Sequence, residues 1–356
     1  MAIFLSYKFI TLFKRLFRKL RLFVLKARFL PACIFYTKRQ RYHFSYKIQL
    51  KNKSQGSKVL SLVIPLPVSR VHENGQKVDL HHDLSSNTQE LIGDITFSPN
   101  DSKIGIDEVY GNKYAVWDVK LSPGETKVYE MSFKMAVSPA PALELNKVIS
   151  FDGYGDLSKE IGNKFCSSNG FINADDARIL AFVRGIRSHN DDVLKVMKGI
   201  NSFVIKYLDY GNPISGLYTT AEALEKRRVD CGGFTALFTS LAVAIGVPCR
   251  IVSGFWAGYK QSSMHAWAEF MIPDGRWIAV DPSVEQLFLR GQTVKSGHFG
   301  YIGSDRIAFS TGCDIPIVVD GKKIRVDILQ NPLLYPIETA KGVEVEVKCE
   351  SSKLKS

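Results

Sequence analysis

From Tyr42 to Val137 the strand-like runs place apolar residues at every second position. Beyond a proline-rich break at 138–142 the apolar spacing becomes three and four. That change of period divides the chain into two kinds of structure. In YHFSYKIQLKN, Tyr42, Phe44, Tyr46, Ile48 and Leu50 alternate with polar partners, the pattern of a strand that buries one face. KVLSLVIPLPVS and YAVWDVKL carry the theme onward, and Tyr129, Met131, Phe133, Met135 and Val137 repeat it in strict alternation. Asn, Gly, Pro and Ser separate these runs. Several short strands with turn signals between them predict an antiparallel β-sandwich over residues 42–137. SPAPA, at 138–142, reads as a stiff linker after it.

DDARILAFVRGI and NDDVLKVMKGINSFVIKYL are helical, the second opening on Asn190 and Asp191 as caps. Thr219 followed by Glu222 is a capping box for a short third helix ending near Arg228. A fourth helix runs from about Gly232 to Ile245 and is stopped by GVP. CRIVSGFW, MHAWAEFMI and RWIAVDP then read as strands. The expected fold class is α+β: an N-terminal antiparallel β-sandwich, then a core of helices packed on an antiparallel sheet over residues 143–335. A C-terminal strand and polar tail follow at 336–356.

The net charge of +12 suggests nucleic acid until its location is traced. Residues 1–41 hold eleven Lys or Arg and no acid, and the first carboxylate is Glu73. On a helical wheel, Leu5, Phe9, Leu12, Phe13, Leu16, Leu20, Phe23 and Leu30 gather opposite Lys8, Lys14, Arg15, Arg18, Lys19 and Lys26, so a basic amphipathic helix is expected over residues 1–36. Its charge-free runs are far shorter than the roughly 20 residues a spanning helix needs. It also lacks the compact apolar core of a secretory signal. An organelle transit peptide, a helix packed on a partner and an arm on nucleic acid share its composition. Leu and Phe at this density exceed what phosphate binding requires, which favours an anionic membrane surface. The expected location is therefore peripheral, on the cytoplasmic face of a membrane, with no nucleic-acid partner.

Six cysteines, Cys33, Cys166, Cys231, Cys249, Cys313 and Cys349, are scattered with no C-x-x-C pair and no histidine at zinc spacing, so neither a metal centre nor a disulfide framework is expected. His81 and His82 are adjacent and would point to opposite faces of a strand, which suits a solvated loop rather than a metal site. Cys231 is different. It opens the fourth helix, where unpaired amides and the positive dipole end favour an anion, lower a thiol pKa and offer an N–H to an oxyanion. Gly232 and Gly233 beside it would leave the thiol uncovered, and Asp230 before it reads as the helix cap. A nucleophile needs a base, and His265 in HAWAEF is the candidate, sharing one strand face with Trp267 and Glu269. Two carboxylates compete to orient it. Glu269 lies about 13 Å along the strand, out of reach. Asp281 lies beyond PDG at 273–275: a three-residue loop would set it opposite Trp267 and diagonal to His265, whereas a two-residue loop would turn it to the other face.

DCGGFTALFTSLAVAIGVPCRIVSGF, HAWAEF and RWIAVDPS, within residues 215–285, resemble the core of the transglutaminase-like superfamily, a branch of the papain-like thiol enzymes. The preceding β-domain and the tail from IAFSTGCDI to LLYP resemble a prokaryotic subgroup of it. The resemblance implies that Cys231 is nucleophile, His265 general base and acid, and Asp281 the orienting carboxylate. Tyr218, Gly232 and Trp267 are candidate substrate contacts, with core packing weighed against them for the two aromatics. Val229 stands where the family often has glycine. Animal enzymes of this type require calcium, but no acidic calcium loop is present here, so neither cofactor nor metal is expected. Cys249, in an apolar strand, should be inert filling. Arg227 and Arg228 suit either an acidic substrate or a solvated helix end. The expected activity is thiol acyl transfer on peptide or side-chain amides, hydrolysis rather than cross-linking, with a protein or cell-envelope peptide as substrate. The rival reading is an inactive, membrane-associated binding module. An arylamine acetyltransferase ranks third, since its R-G-G-x-C surroundings are absent.

Overall fold

Two four-stranded antiparallel sheets face each other across a core that the alternating strands fill from both sides. The computed structural model describes residues 37–70, 87–140, 148–156, 159–187, 192–259 and 262–354. The basic segment 1–36, His81, His82, Asn190 and Asp191 lie outside the described residues. The sandwich strands are β1 (Gln40–Asn52), β2 (Lys58–Pro65), β3 (Gln89–Ser98), β4 (Lys103–Ile106), β5 (Lys113–Leu121) and β6 (Thr126–Val137). Tyr42, Phe44, Tyr46, Ile48 and Leu50 of β1 are all fully buried, as are Met131, Met135 and Val137 of β6. The period of two is thus the physical reason for the layer.

The helices are α1 (Lys159–Phe165), α2 (Ala177–Arg187), α3 (Val193–Tyr207), α4 (Thr220–Lys226), α5 (Cys231–Ala244), α6 (Pro282–Leu289) and α7 (Ile337–Ala340). Asp192 caps α3, its side chain accepting from the Leu194 amide. Thr219 and Glu222 form the reciprocal capping box of α4. From Gly232 to Val243 α5 is buried on every face, as a helix through the middle of a core must be. The later strands are β7 (Cys249–Trp256), β8 (Met264–Met271), β9 (Trp277–Val280), β10 (Arg306–Thr311), β11 (Ile315–Val319), β12 (Lys322–Val326), β13 (Leu333–Tyr335) and β14 (Val343–Lys353).

The second sheet system has strand order β9-β8-β7-β10; α5 packs on its β8 and β7 strands, and α3 and α4 pack on α5, within one apolar cluster that includes side chains of β8 and β9. The sandwich orders are β14-β1-β6-β3 and β13-β2-β5-β4. The chain therefore returns after the helical core to supply one edge strand to each sandwich sheet. The two halves also share apolar packing: Phe255, Ala257, Ile307 and Phe309 of the core sheet lie in the same cluster as the β1 and β6 side chains. Phe44 contacts Phe255 and Phe309 with ring centroids 5.5 Å apart in each case. The fold is the α+β arrangement the periodicities imply, and its sandwich braces the back of the sheet that carries the candidate site.

Candidate active site

Cys231 is the first residue of α5, and Asp230 caps it. The Asp230 carboxylate accepts from the Gly232 amide at 2.9 Å, from Gly233 at 3.4 Å and from Ile214 at 3.0 Å. This occupies the helix mouth with a fixed negative charge. Sequence reasoning gives that position a lowered thiol pKa, but the structure reverses the direction. Burial and then the Asp230 charge push the Cys231 thiol up to about 12, while the Ala266 and Gly232 amides that face the sulfur pull it down only in part. The helix dipole is spent on Asp230 before it reaches the sulfur. Cys231 nonetheless stays partly exposed, whereas Cys249 and Cys313 are buried.

The glycines do a different job from the one the sequence suggested. Gly232 and Gly233 are both buried. A Cβ on Gly233 would stand 2.5 Å from Val229 and one on Gly232 3.1 Å from Leu217. They let the helix start pack closely rather than keeping the thiol open. As a substrate contact Gly232 is further restricted, because its amide is already held by Asp230.

His265 lies on β8, opposite Gly254 of β7. Beyond Met271↔Trp277 the hairpin closes with Ile272 donating to the Arg276 carbonyl at 2.9 Å, so the loop is the three residues Pro273, Asp274 and Gly275. Gly275 takes the left-handed conformation such a loop needs, φ 89°. The register Ala268↔Val280 then carries Asp281 next to Trp267 and diagonal to His265. His265 Nε2 lies 2.7 Å from Asp281 Oδ2. An ionised carboxylate only accepts, so Nε2 carries the proton and Nδ1 keeps a lone pair. Asp281 Oδ1 meanwhile accepts from Ser283 Oγ at 3.0 Å and the Val284 amide at 3.1 Å, capping α6. Glu269, the competing carboxylate, is bound to Arg70 and Arg250 instead.

Arg306 completes the row and was not among the residues singled out from sequence. Its Nη1 is 2.7 Å from the same Asp281 Oδ2, its Nη2 donates to the Ser296 carbonyl, and it is fully buried. Gly297 makes room for this contact: at φ 141° a Cβ there would stand 2.8 Å from Arg306 and 2.9 Å from Asp281. Burial raises the Asp281 pKa, but the charges and hydrogen bonds of His265 and Arg306 outweigh it and hold the carboxyl well below the usual range. Burial in turn lowers the His265 pKa. Asp281 opposes this, but Arg306 and Lys295 assist it, because Arg306 already neutralises the carboxylate. The resting imidazole is therefore neutral. Trp256 stacks on it at 4.4 Å and 26°, and Gln330 Nε2 donates to the Gly254 and His265 carbonyls at 2.7 and 2.9 Å, fixing the strand pair.

The other candidate contacts are buried as well. Trp267 is wholly enclosed, its ring 6.2 Å from that of His265 and packed with Val252, Ala279 and Ala308, so it can reach a substrate only through the imidazole. Tyr218 is buried with its hydroxyl donating to the Asn212 carbonyl at 2.7 Å. A more exposed phenol, Tyr210, stands within electrostatic reach of Cys231, Asp230 and Asp281, and burial and those charges raise its pKa. Arg227 and Arg228 are exposed at the end of α4. Among the described residues no group of His, Cys, Asp and Glu is arranged to hold a metal ion.

Residues 180–282, which contain Cys231, His265 and Asp281, match the family model of the transglutaminase-like superfamily. This segment is a transglutaminase-like core. Over a longer stretch, a candidate cysteine protease from Cytophaga hutchinsonii superposes with TM-score 0.58 at 13% identity, covering 89% of this chain and 92% of that one. At that identity the likeness shows the fold. The periplasmic domain of TgpA from Pseudomonas aeruginosa (TM-score 0.35, 11% identity, 70% of this chain and 93% of that one) and red sea bream transglutaminase (0.30, 12%, 83% and 62%) also match. No curated protein matches the sequence. Arg306 and Lys295 fall outside the matched segment, so the transglutaminase-like core here is completed by residues that its motif does not contain.

Proposed function

We propose that this chain is a thiol-dependent acyl-transfer enzyme that hydrolyses peptide or side-chain amides, with Cys231 as nucleophile, His265 as general base and acid, and Asp281 as the group that orients His265. The observation that carries this reading is the 2.7 Å bond from His265 Nε2 to Asp281 Oδ2, which leaves the Nδ1 lone pair free to take a proton. With a thiol near 12 and a neutral imidazole, the resting pair is uncharged. Attack is therefore coupled to proton transfer. The Cys231 sulfur bonds to the carbonyl carbon as His265 Nδ1 takes the thiol proton. The C–N bond then breaks as His265 returns that proton to the leaving nitrogen, giving a thioester and a free amine. Water, deprotonated by the same imidazole, attacks the thioester carbon; the C–S bond breaks, the sulfur takes the proton back from His265, and the acyl group leaves as the carboxylic acid. Hydrolysis is preferred to transamidation because water is always present.

A thiol with so high a pKa is inert at neutral pH unless a base serves it. That gives a direct test. In iodoacetamide time courses at pH 7.5 read by peptide mass spectrometry, Cys231 is expected to be alkylated at least about tenfold faster than Cys166 and Cys349, and His265→Gln is expected to erase that advantage. Equal rates at the three cysteines would support the inactive-module reading instead.

We also propose that residues 1–36 hold the enzyme at an anionic membrane surface. No described helix is long and apolar enough to cross a membrane. What supports a surface role is the eleven-fold basic, acid-free sequence of residues 1–41. Binding to phosphatidylserine vesicles should fall steeply between low and physiological salt and should vanish on deletion of residues 1–36. Vesicle binding that survives the deletion would refute it.

A further inference from the structure

We propose that Lys295 is a specificity-determining residue that recognises a carboxylate on the leaving-group side of the scissile amide. The proposal rests on the thiol-enzyme reading above and goes beyond it by naming a substrate feature. Lys295 Nζ lies 4.3 Å from the centre of the Trp256 ring and 5.1 Å from that of Tyr259. Trp256 is the ring that stacks on His265 at 4.4 Å. One indole thus links the Lys295 ammonium to the imidazole that returns a proton to the departing amine, and Arg306 Cζ lies 4.3 Å from the centre of the same ring.

The ammonium lacks an ion-pair partner among the described residues, although acids are close. Asp305 acts on it through space, but its oxygens are committed to the Tyr259 hydroxyl at 2.7 Å, the Ser296 amide at 3.2 Å and the Ser296 hydroxyl. Asp281 is likewise committed, to His265 and Arg306. What remains is a half-buried cation resting on two aromatic faces, within the electrostatic field of the Cys231 sulfur and the Asp281 carboxylate. A desolvated ammonium held this way has unused hydrogen-bond donors and a strong preference for an anion. A carboxylate two to four bonds from the leaving nitrogen has the charge to satisfy it. In a peptide that is either the α-carboxylate of a C-terminal residue or the side chain of an acidic residue just after the cleaved bond.

Chloroacetyl probes place these groups without requiring a known substrate. The Cys231 sulfur bonds to the methylene carbon, chloride leaves, and the thiol proton passes to His265. The amide nitrogen of each probe stands in for the leaving amine. N-chloroacetylglycine carries the α-carboxylate, N-chloroacetyl-aspartic α-amide the side-chain carboxylate, and N-chloroacetylglycinamide neither. Alkylation of Cys231 in the full chain is followed by mass spectrometry for the unmodified protein, Lys295→Gln and Lys295→Arg. At least one anionic probe should outpace the neutral one in the unmodified protein, and that ratio should fall by about tenfold in Lys295→Gln and largely return in Lys295→Arg. The faster anionic probe identifies which carboxylate is read. Ratios that are the same in all three proteins, with Cys231 reacting normally with the neutral probe, would overturn the role of Lys295 alone. Failure of every probe and of iodoacetamide to modify Cys231 would overturn the nucleophile reading and this inference with it.

Discussion

Asp281→Asn is expected to lower kcat/KM on a cleaved peptide by about 10⁴-fold, Cys231→Ala to lower it at least as far, and the double variant no further than Cys231→Ala alone. The asparagine keeps the shape of the side chain but can donate its amide N–H to His265 Nε2. The ring proton then moves to Nδ1, and the imidazole can no longer accept from the thiol. Because the thiol is held near 12 by burial and by Asp230, no thiolate reserve exists to rescue the rate. That dependence makes the two losses non-additive, as expected for residues that act as a unit. The measurement is steady-state kinetics on purified protein well below its melting temperature. Independent, multiplicative losses would show that Asp281 does not act through His265.

The same substitution has a separate structural cost, which must be measured beside the kinetics. Arg306 is fully buried, and beside its hydrogen bond to the Ser296 carbonyl it would keep only Asp305, 3.7 Å from its Nε, as a countercharge. Removing one partner of a buried pair costs roughly 3–5 kcal/mol, and Asp305 should bring this to the lower end. The pH dependence follows from the direction of the shift. With its folded pKa depressed, Asp281 contributes stability that is fully present above its unfolded value of about 3.9 and is lost as pH falls through the folded pKa. His265, also depressed, stays neutral to below pH 6.5, so the base should remain competent into mildly acidic solution.

How far the site was legible depended on whether the relevant physics was local. The alternation in β1 and β6 set the sandwich because burial on one face of a strand is read residue by residue. The PDG turn narrowed Asp281 to two registers, and the three-residue loop of the structure selects the one diagonal to His265. Arg306 was not legible. It reaches Asp281 from β10, 25 residues later, through a gap made by Gly297, and neither residue sits in a recognisable motif. The direction of the Cys231 shift was missed for a subtler reason. The capping role of Asp230 was readable, but a cap that satisfies the helix mouth also removes the field a thiolate would have used, and that competition appears only when the carboxylate's three amide contacts are seen together. Tyr218 and Trp267 look alike as sequence whether they line a cleft or fill a core, and here packing claimed both.

Glu269→Gln is expected to cost about 3–5 kcal/mol while leaving the alkylation rate of Cys231 near that of the unmodified protein at low temperature. Glu269 is fully buried and holds two guanidinium groups at once. Arg70 Nη1 is 2.9 Å from one oxygen, and Arg250 Nη2 is 2.6 Å from the other. Arg250 Cζ also lies over Trp277, 3.9 Å from its ring centre, and Arg70 reaches Thr311 Oγ1 at 3.2 Å. The trio therefore ties the segment after β2 to strands β7, β8 and β10 across the seam between sandwich and core. Substituting the neutral amide removes the carboxylate that two buried guanidinium groups share, and a drop in melting temperature on the order of 10 °C should follow. Replacing all three residues together, as Arg70→Met, Glu269→Leu and Arg250→Leu, should recover most of the loss, because the two guanidinium groups go together with the carboxylate they share. A Glu269→Gln protein that melts within about 2 °C of the original would show that the cluster is hydrated rather than sealed. A protein that melts normally but loses Cys231 reactivity would instead place Glu269 in the chemistry, against its distance from His265 along the same strand.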